Sequence, residues 1–344
     1  MQLRRWQYEA VEAALTKYET EHPHFLCLAT PGAGKTFMAS RIAKELMDSG
    51  KIDLVFCFSP SVNVATSFQA SIESQLKCKL DGLLGSKGRS LTYQSMPSQD
   101  LSFWSLLSQY KTLVIFDEIH HCAGDNLDNA NVWGQKIIQH IQGEADYTLA
   151  LSGTPWRSDK VPIALSSYCV DGVIQCDYSY GLERAIQDGV CRIPKIIAVD
   201  NDEITLLSGD ERERYSSFAE LLKQSKCTYQ QLLDSSDLIT YMIKITAKKI
   251  NEVRKRQPNS GALVVAATVD HAIKIAEIIK RDTGDSARVV TYLHDGAQDT
   301  IRDFREANDK WIVSVGMISE GTDIPRLKVC CHLTRVKTEL YFRQ

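Results

Sequence analysis

Short apolar runs alternate with stretches whose apolar residues fall at helical spacing, and this alternation runs the length of the chain. Phe25–Leu28, Leu54–Phe58, Leu113–Phe116 and Tyr147–Leu151 are continuous apolar segments of strand length, the pattern of strands buried on both faces. Between them, Ala10, Ala14 and Leu15, then 37–48, then Val64, Phe68 and Ile72, recur with helical period. Ser49-Gly50 closes one helix, and Asp100 opens another that runs to about Tyr110. Residues 81–90 read as a loop, Leu91–Ser95 as a short strand, Asp125–Ala130 as a loop, Trp133–Gln142 as a helix, Val173–Tyr178 as a strand and Leu182–Asp188 as a helix. From about 200 to 260 the pattern turns charged and helical. A second alternation follows, with strands at 262–267, 287–293, 311–315 and 328–333 and helices at 270–281 and around Ile301 and Phe304. The expected fold class is α/β, with two doubly wound parallel sheets. The boundaries read as a first domain over 1–180, a connecting strand and charged helical segment over 181–260, and a second domain over 261–344.

Two segments carry chemistry. The first is Phe25-Leu-Cys-Leu-Ala-Thr-Pro-Gly-Ala-Gly-Lys-Thr36, an apolar strand, a glycine turn and a helix start. This is the order a phosphate-binding loop needs. Thr30, Gly32, Ala33 and Gly34 form a turn whose N–H groups can face phosphate oxygens. Lys35 can reach the terminal phosphates, and the Thr36 hydroxyl can ligate Mg²⁺. Ala29 stands where the strict pattern has glycine. The second segment is Leu113-Val-Ile-Phe-Asp-Glu-Ile-His120, which puts two carboxylates at the carboxyl end of a strand. Asp117 suits Mg²⁺ and Glu118 suits the attacking water, so Lys35, Asp117 and Glu118 are the candidate catalytic set, with ATP and Mg²⁺ as cofactors.

Weaker signals keep alternatives open. Gln7 carries donors and an acceptor that suit an adenine edge, and equally a solvated amide. His120 reads as a coupling residue, and His121 as a loop histidine. Ser152 and Thr154 can relay loss of a phosphate, or merely end a strand. The charge at 248–256 reads as a solvated helix face or as phosphate contacts.

Composition narrows the setting. Apolar residues make up 44% and charged residues 24%, ordinary for a globular protein, and 344 residues suffice for two domains. No apolar run approaches a membrane span, and no basic-then-apolar leader opens the chain, which argues against secretion. The ten cysteines are scattered and form no CxxC pair, which fits the reducing cytoplasm and argues against zinc. Cys330-Cys331-His332 reads as a core strand. A net charge of −3 confines any nucleic-acid contact to a local groove.

Gln7, Ala29–Thr36, Pro60, Asp117–His120, Ser152–Thr154 and Ser319–Asp323 fall in one order that resembles superfamily 2 helicases and translocases. Leu91–Ser95, Thr154-Pro-Trp-Arg157 and 316–325 are most similar to the type III restriction-enzyme res-subunit branch. The resemblance implies two RecA-like domains with ATP in the cleft between them, and an ATP-dependent motor on nucleic acid, foremost double-stranded DNA. It places Pro60 and Gln69 near the nucleic-acid backbone. Thr268 and Arg302 would be second-domain contacts. Glu320, Gly321, Thr322 and Asp323 would link ATP and the strand. Such motors carry a last motif resembling Gln-x-x-Gly-Arg-x-x-Arg, of which Gln344 would be the first residue. The chain is therefore expected to be a fragment whose second domain is incomplete, with a partner subunit or further C-terminal domains. It should bind ATP and hydrolyse it slowly, since an arginine finger is worth roughly 10³–10⁵ in rate. An RNA helicase and an ATP-controlled nucleic-acid-sensing switch in defence are the competing readings. No nuclease site stands out.

Overall fold

The computed structural model describes residues 2–20, 22–157, 159–197, 204–208, 211–225, 227–293, 296–318 and 322–336. They form two compact units, one within Met1–Ile193 and one within Pro194–Lys337.

In the first unit, α1 (Arg5–Glu19) precedes β1 (His24–Ala29), and α2 (Lys35–Asp48) leads to β2 (Leu54–Ser59). Helix α3 (Val62–Leu76), strand β3 (Gly88–Thr92), a 3₁₀ turn (Tyr93–Ser98), α4 (Leu101–Gln109) and β4 (Thr112–Asp117) follow. A second 3₁₀ turn (Ile119–His121), α5 (Val132–His140) and β5 (Tyr147–Ser152) come next, then the short strands β6 (Ser167–Tyr168), β7 (Ile174–Gln175) and β8 (Tyr178–Tyr180), then α6 (Leu182–Gln187). The main sheet has the order β3-β2-β4-β5-β1-β8. Its strands are parallel throughout. One strand, β5, therefore lies between the strand that enters the glycine turn and the strand that ends in Asp117.

Side chains alternate across this sheet and both faces are covered, as a parallel sheet requires. On one face Leu113 and Ile115 pack with Trp6, Phe25, Ile42, Leu46 and Phe68. On the other, Val114 and Phe116 pack with Phe58, Tyr93, Trp104 and Ile137. Trp6 is fully buried and stacks on Tyr180 at 4.7 Å between ring centroids, which fastens α1 to the sheet edge.

The second unit begins with a hairpin of β9 (Ile204–Ser208) and β10 (Glu211–Tyr215). Helices α7 (Phe218–Gln224), α8 (Tyr229–Leu233) and α9 (Ser236–Arg254) lead to β11 (Gly261–Ala266), α10 (Val269–Thr283), β12 (Ala287–Thr291), α11 (Ala297–Glu306), β13 (Trp311–Val315) and β14 (Leu327–Leu333). The parallel order is β12-β13-β11-β14. Helices α9 and α10 cover one face with Ile243, Ile250, Ile275 and Ile279, and Phe304 and Ile301 cover the other. Arg326 is buried, lies 4.3 Å over the Phe304 ring, and donates to the carbonyls of Asn259, Phe304 and Asp309.

Three local readings change. The charged stretch after 200 contains the β9–β10 hairpin, whose pairing of Ile204–Ser208 with Glu211–Tyr215 the surrounding charge obscured. The loop over 81–90 gives way to β3 at Gly88. A Cβ at Gly88 would lie 1.8 Å from the Val55 carbonyl oxygen, so glycine is what lets β3 close on β2. The single strand over 173–178 divides into β7, which pairs with β6, and β8, which pairs with β1. Among the described residues, no helix is long and apolar enough to cross a membrane.

Trp6→Ala should destabilise the first unit by about 3–5 kcal/mol through the cavity it leaves. Urea unfolding followed separately in each unit checks this, and the second unit's transition should not move.

Candidate nucleotide site

The glycine turn sits where β1 delivers the chain to α2. Gly32 and Gly34 have φ of +76° and +98°, left-handed backbone that glycine adopts without strain. Gly34 also has no room for a side chain, since a Cβ there would lie 2.8 Å from Gln7 Nε2. The turn is gripped from α1 and the residue before it. Gln7 Nε2 donates to the Gly34 carbonyl at 3.0 Å, and Arg4 Nη1 donates to the Ala33 carbonyl at 2.7 Å. The Arg4 backbone N–H in turn donates to Gln7 Oε1 at 2.8 Å. Helix α2 starts at Lys35 with no side-chain cap, an arrangement that favours an anion at its first amides.

Lys35 is buried, and its Nζ lies 2.7 Å from Glu118 Oε1 and 3.3 Å from the Ala29 carbonyl. Glu118 follows β4 with φ +50° and ψ +55°. A non-glycine residue held there costs roughly 1–2 kcal/mol. Its Oε2 accepts the Gly153 N–H at 3.0 Å and lies 3.6 Å from His120 Nδ1. Burial pushes the Glu118 carboxyl up. The Lys35 ammonium, the Gly153 N–H and His120 more than offset this, and the carboxyl titrates below its ordinary value. His120 Nδ1 and Ser152 Oγ are 3.1 Å apart, and Ser152 Oγ accepts the Thr154 N–H at 3.1 Å. The Thr154 hydroxyl is buried with no hydrogen-bond partner.

Asp117 ends β4, buried, with its carbonyl accepting the Tyr93 hydroxyl at 2.7 Å. Thr36 is half-buried in the first turn of α2. Both offer oxygen ligands of the kind Mg²⁺ takes, with phosphate and water completing the shell. Thr30 lies buried at the entry of the turn, its N–H donating to the Tyr180 carbonyl at 3.0 Å. An open groove of about 480 Å³ runs beside the turn, lined by Gln2, Leu3, Tyr8, Phe37, Arg41 and Gln75. Two rings and a guanidinium there suit a planar base.

The structure thus brings together Gln7, the turn, Lys35, Glu118, His120, Ser152 and Thr154, with Thr36 and Asp117 next in sequence to Lys35 and Glu118. The other candidates stand elsewhere. The Pro60 carbonyl, after β2, accepts Gln94 Nε2 at 3.1 Å, and Gln69 on α3 pairs with Glu73 at 3.1 Å. Thr268 caps α10 through the His271 N–H. Arg302 pairs with Asp299 at 2.8 Å on the surface. Thr322 is half-buried, and exposed Asp323 lies 3.8 Å from Arg305. Glu320, Gly321 and Gln344 lie outside the described residues. Sequence reading gave no role of their own to Arg4, Gly153, Tyr93 and Arg157, although the last three lie inside segments it singled out, Ser152–Thr154, Leu91–Ser95 and Thr154–Arg157.

Residues 1–157 match the family described as type III restriction enzyme, res subunit. The chain is 32% identical over 99% of its length to Uncharacterized protein Rv2917 of Mycobacterium tuberculosis, and spans 58% of that protein. Among solved structures, the ATP-dependent Type ISP restriction-modification enzyme LlaBIII bound to DNA superposes with a TM-score of 0.58 at 14% identity, over 97% of this chain and 25% of that one. DUF1998 helicase MrfA, bound to DNA and AMPPNP, gives 0.52 at 13% identity, over 96% of this chain and 44% of that one. At these identities the likeness is one of fold, two parallel-sheet units of the RecA type.

Glu118→Gln should lower the stability of the nucleotide-free chain at neutral pH by about 3 kcal/mol, because Lys35 loses its buried counterion. The depressed carboxyl fixes the sign. The wild-type advantage is present above the unfolded-state pKa of about 4.3 and is lost as pH falls through the lower folded value. Melting temperatures of both proteins from pH 7 to pH 3 check this.

Proposed function

We propose that this chain carries the ATP-driven motor of a DNA helicase or translocase acting on duplex DNA, a reading supported by the match of residues 1–157 to the family described as type III restriction enzyme, res subunit. The observation that carries the reading is the 2.7 Å contact of Lys35 with Glu118, a phosphate-loop lysine and a strand-end glutamate meeting at one point.

In this reading Lys35 exchanges Glu118 for the phosphate oxygens of ATP. The Gly153 N–H, at 3.0 Å from Oε2, and His120 beside it still hold the Glu118 carboxylate after that exchange. Glu118 then orients the attacking water and accepts its proton. Mg²⁺, held by Thr36 and Asp117, supplies charge neutralisation on the phosphoryl oxygens when bound. Gln7 and the Tyr8–Phe37–Arg41 groove hold the base. Ser152, Thr154 and His120 border Glu118 and relay the change at the phosphate to the rest of the unit. Pro60, Gln69, Thr268, Arg302, Glu320, Gly321, Thr322 and Asp323 are assigned to the strand and to coupling. Backbone contacts carry no sequence information, so such a motor tracks DNA without reading it. DNA is favoured over RNA because LlaBIII and MrfA, similar in fold, are both described as bound to DNA.

Turnover of ATP by the chain with duplex DNA, single-stranded DNA, RNA or no polymer tests the reading. Duplex DNA should raise turnover most. Lys35→Ala should remove ATP binding. Glu118→Gln should keep it while lowering turnover by about 10²–10⁴. Stronger stimulation by RNA would replace the DNA reading. ATP-dependent assembly without any stimulation would replace the motor with a switch.

A further inference from the structure

Glu118 is a left-handed non-glycine residue, and the carbonyls on both sides of it are held by side chains from other segments. Upstream, the fully buried Tyr93, in the 3₁₀ turn after β3, donates its hydroxyl to the Asp117 carbonyl at 2.7 Å. Its ring stacks on Trp133 at 5.6 Å. Downstream, Arg157 Nη1 donates to the His120 carbonyl at 2.5 Å. The same guanidinium grips Asp159 at 3.0 Å through Nε and 2.6 Å through Nη2. Asp159 also accepts the Val161 N–H at 3.1 Å, which fixes the carboxylate that orients Arg157.

We infer that Tyr93 and Arg157 are positioning residues that clamp the Glu118 turn in its left-handed form and so aim its carboxylate at the phosphate loop. The inference rests on the ATPase reading and adds residues to it. A backbone conformation that disfavours L side chains persists only where its surroundings over-determine it. Released from its two carbonyl anchors, the turn relaxes to right-handed or extended backbone. The Glu118 Cβ then swings, and its carboxylate leaves both Lys35 and the Gly153 N–H. Arg157 is suited to this work because a planar fork can hold a carboxylate through two N–H groups on one edge and a carbonyl through a third donor, which an ammonium cannot.

The test uses the whole 344-residue chain. Residue-resolved hydrogen exchange of the Gly153 amide, ATP turnover and ATP affinity are measured in wild type, Tyr93→Phe, Arg157→Ala, Arg157→Lys and Asp159→Asn. Exchange at Gly153 should rise about tenfold in Tyr93→Phe and Arg157→Ala. Turnover should fall between about tenfold and 10²-fold, while the ATP dissociation constant moves less than about twofold. Arg157→Lys and Asp159→Asn should fall between these and wild type. Unchanged exchange at Gly153 in both Tyr93→Phe and Arg157→Ala overturns the proposal. So does a loss of ATP affinity equal to the loss of turnover, which marks general disruption. A wild-type chain that hydrolyses no ATP with any polymer fails the ATPase reading instead, and exchange alone then decides the clamp.

Discussion

Lys35 and Glu118 come from opposite halves of the first unit and meet in a nearly closed space, 8% and 7% exposed. Neither charge would be tolerated there alone, because an unpaired buried ion costs several kcal/mol. Each is the other's counterion, and the rest of the site is arranged around that fact. The parallel register brings the ends of β1 and β4 level, with β5 between them, so the distance between the two groups is set by strand spacing. In the proposed reading, an anion displaces Glu118 from Lys35 and so releases the carboxylate.

The second unit handles buried charge differently. Arg326 is buried and makes no salt bridge among the described residues. It is satisfied by three backbone carbonyls and an aromatic face. Neutral acceptors cannot be drawn away by an incoming ligand. The arrangement therefore ties the start of β11, the end of α11 and the approach to β13 into a fixed base. Exchangeable partners sit where chemistry is expected, and permanent ones where rigidity is needed.

Much of this was legible along the chain because it is local. Strand, glycine turn and helix follow one another within Phe25–Met47, and Asp117 and Glu118 close an apolar run whose length alone marks a buried strand. The alternation of such runs with helical spacing announced two parallel sheets. What stayed hidden is made by bonds between distant residues. Tyr93 reaches Asp117, Arg157 reaches His120, and Arg4 reaches Ala33, each through a backbone carbonyl, which has no letter in the sequence. The left-handed backbone at Glu118 was hidden for the opposite reason, since local chemistry there argues for ordinary backbone and tertiary bonds override it. The β9–β10 hairpin was masked by a composition that favours helix.

Strand order also has a consequence for how this protein is made. Cys27 in β1 pairs with Leu151 in β5 and with Tyr178 in β8, and the Thr30 N–H rests on the Tyr180 carbonyl. The glycine turn is translated early, yet its mould is among the last parts of the first unit to arrive. At synthesis rates of about 5–20 residues per second, the delay is on the order of ten seconds. Through that interval the nascent chain presents Phe25–Leu28 as an unpaired apolar edge, open to chaperones and to misassociation.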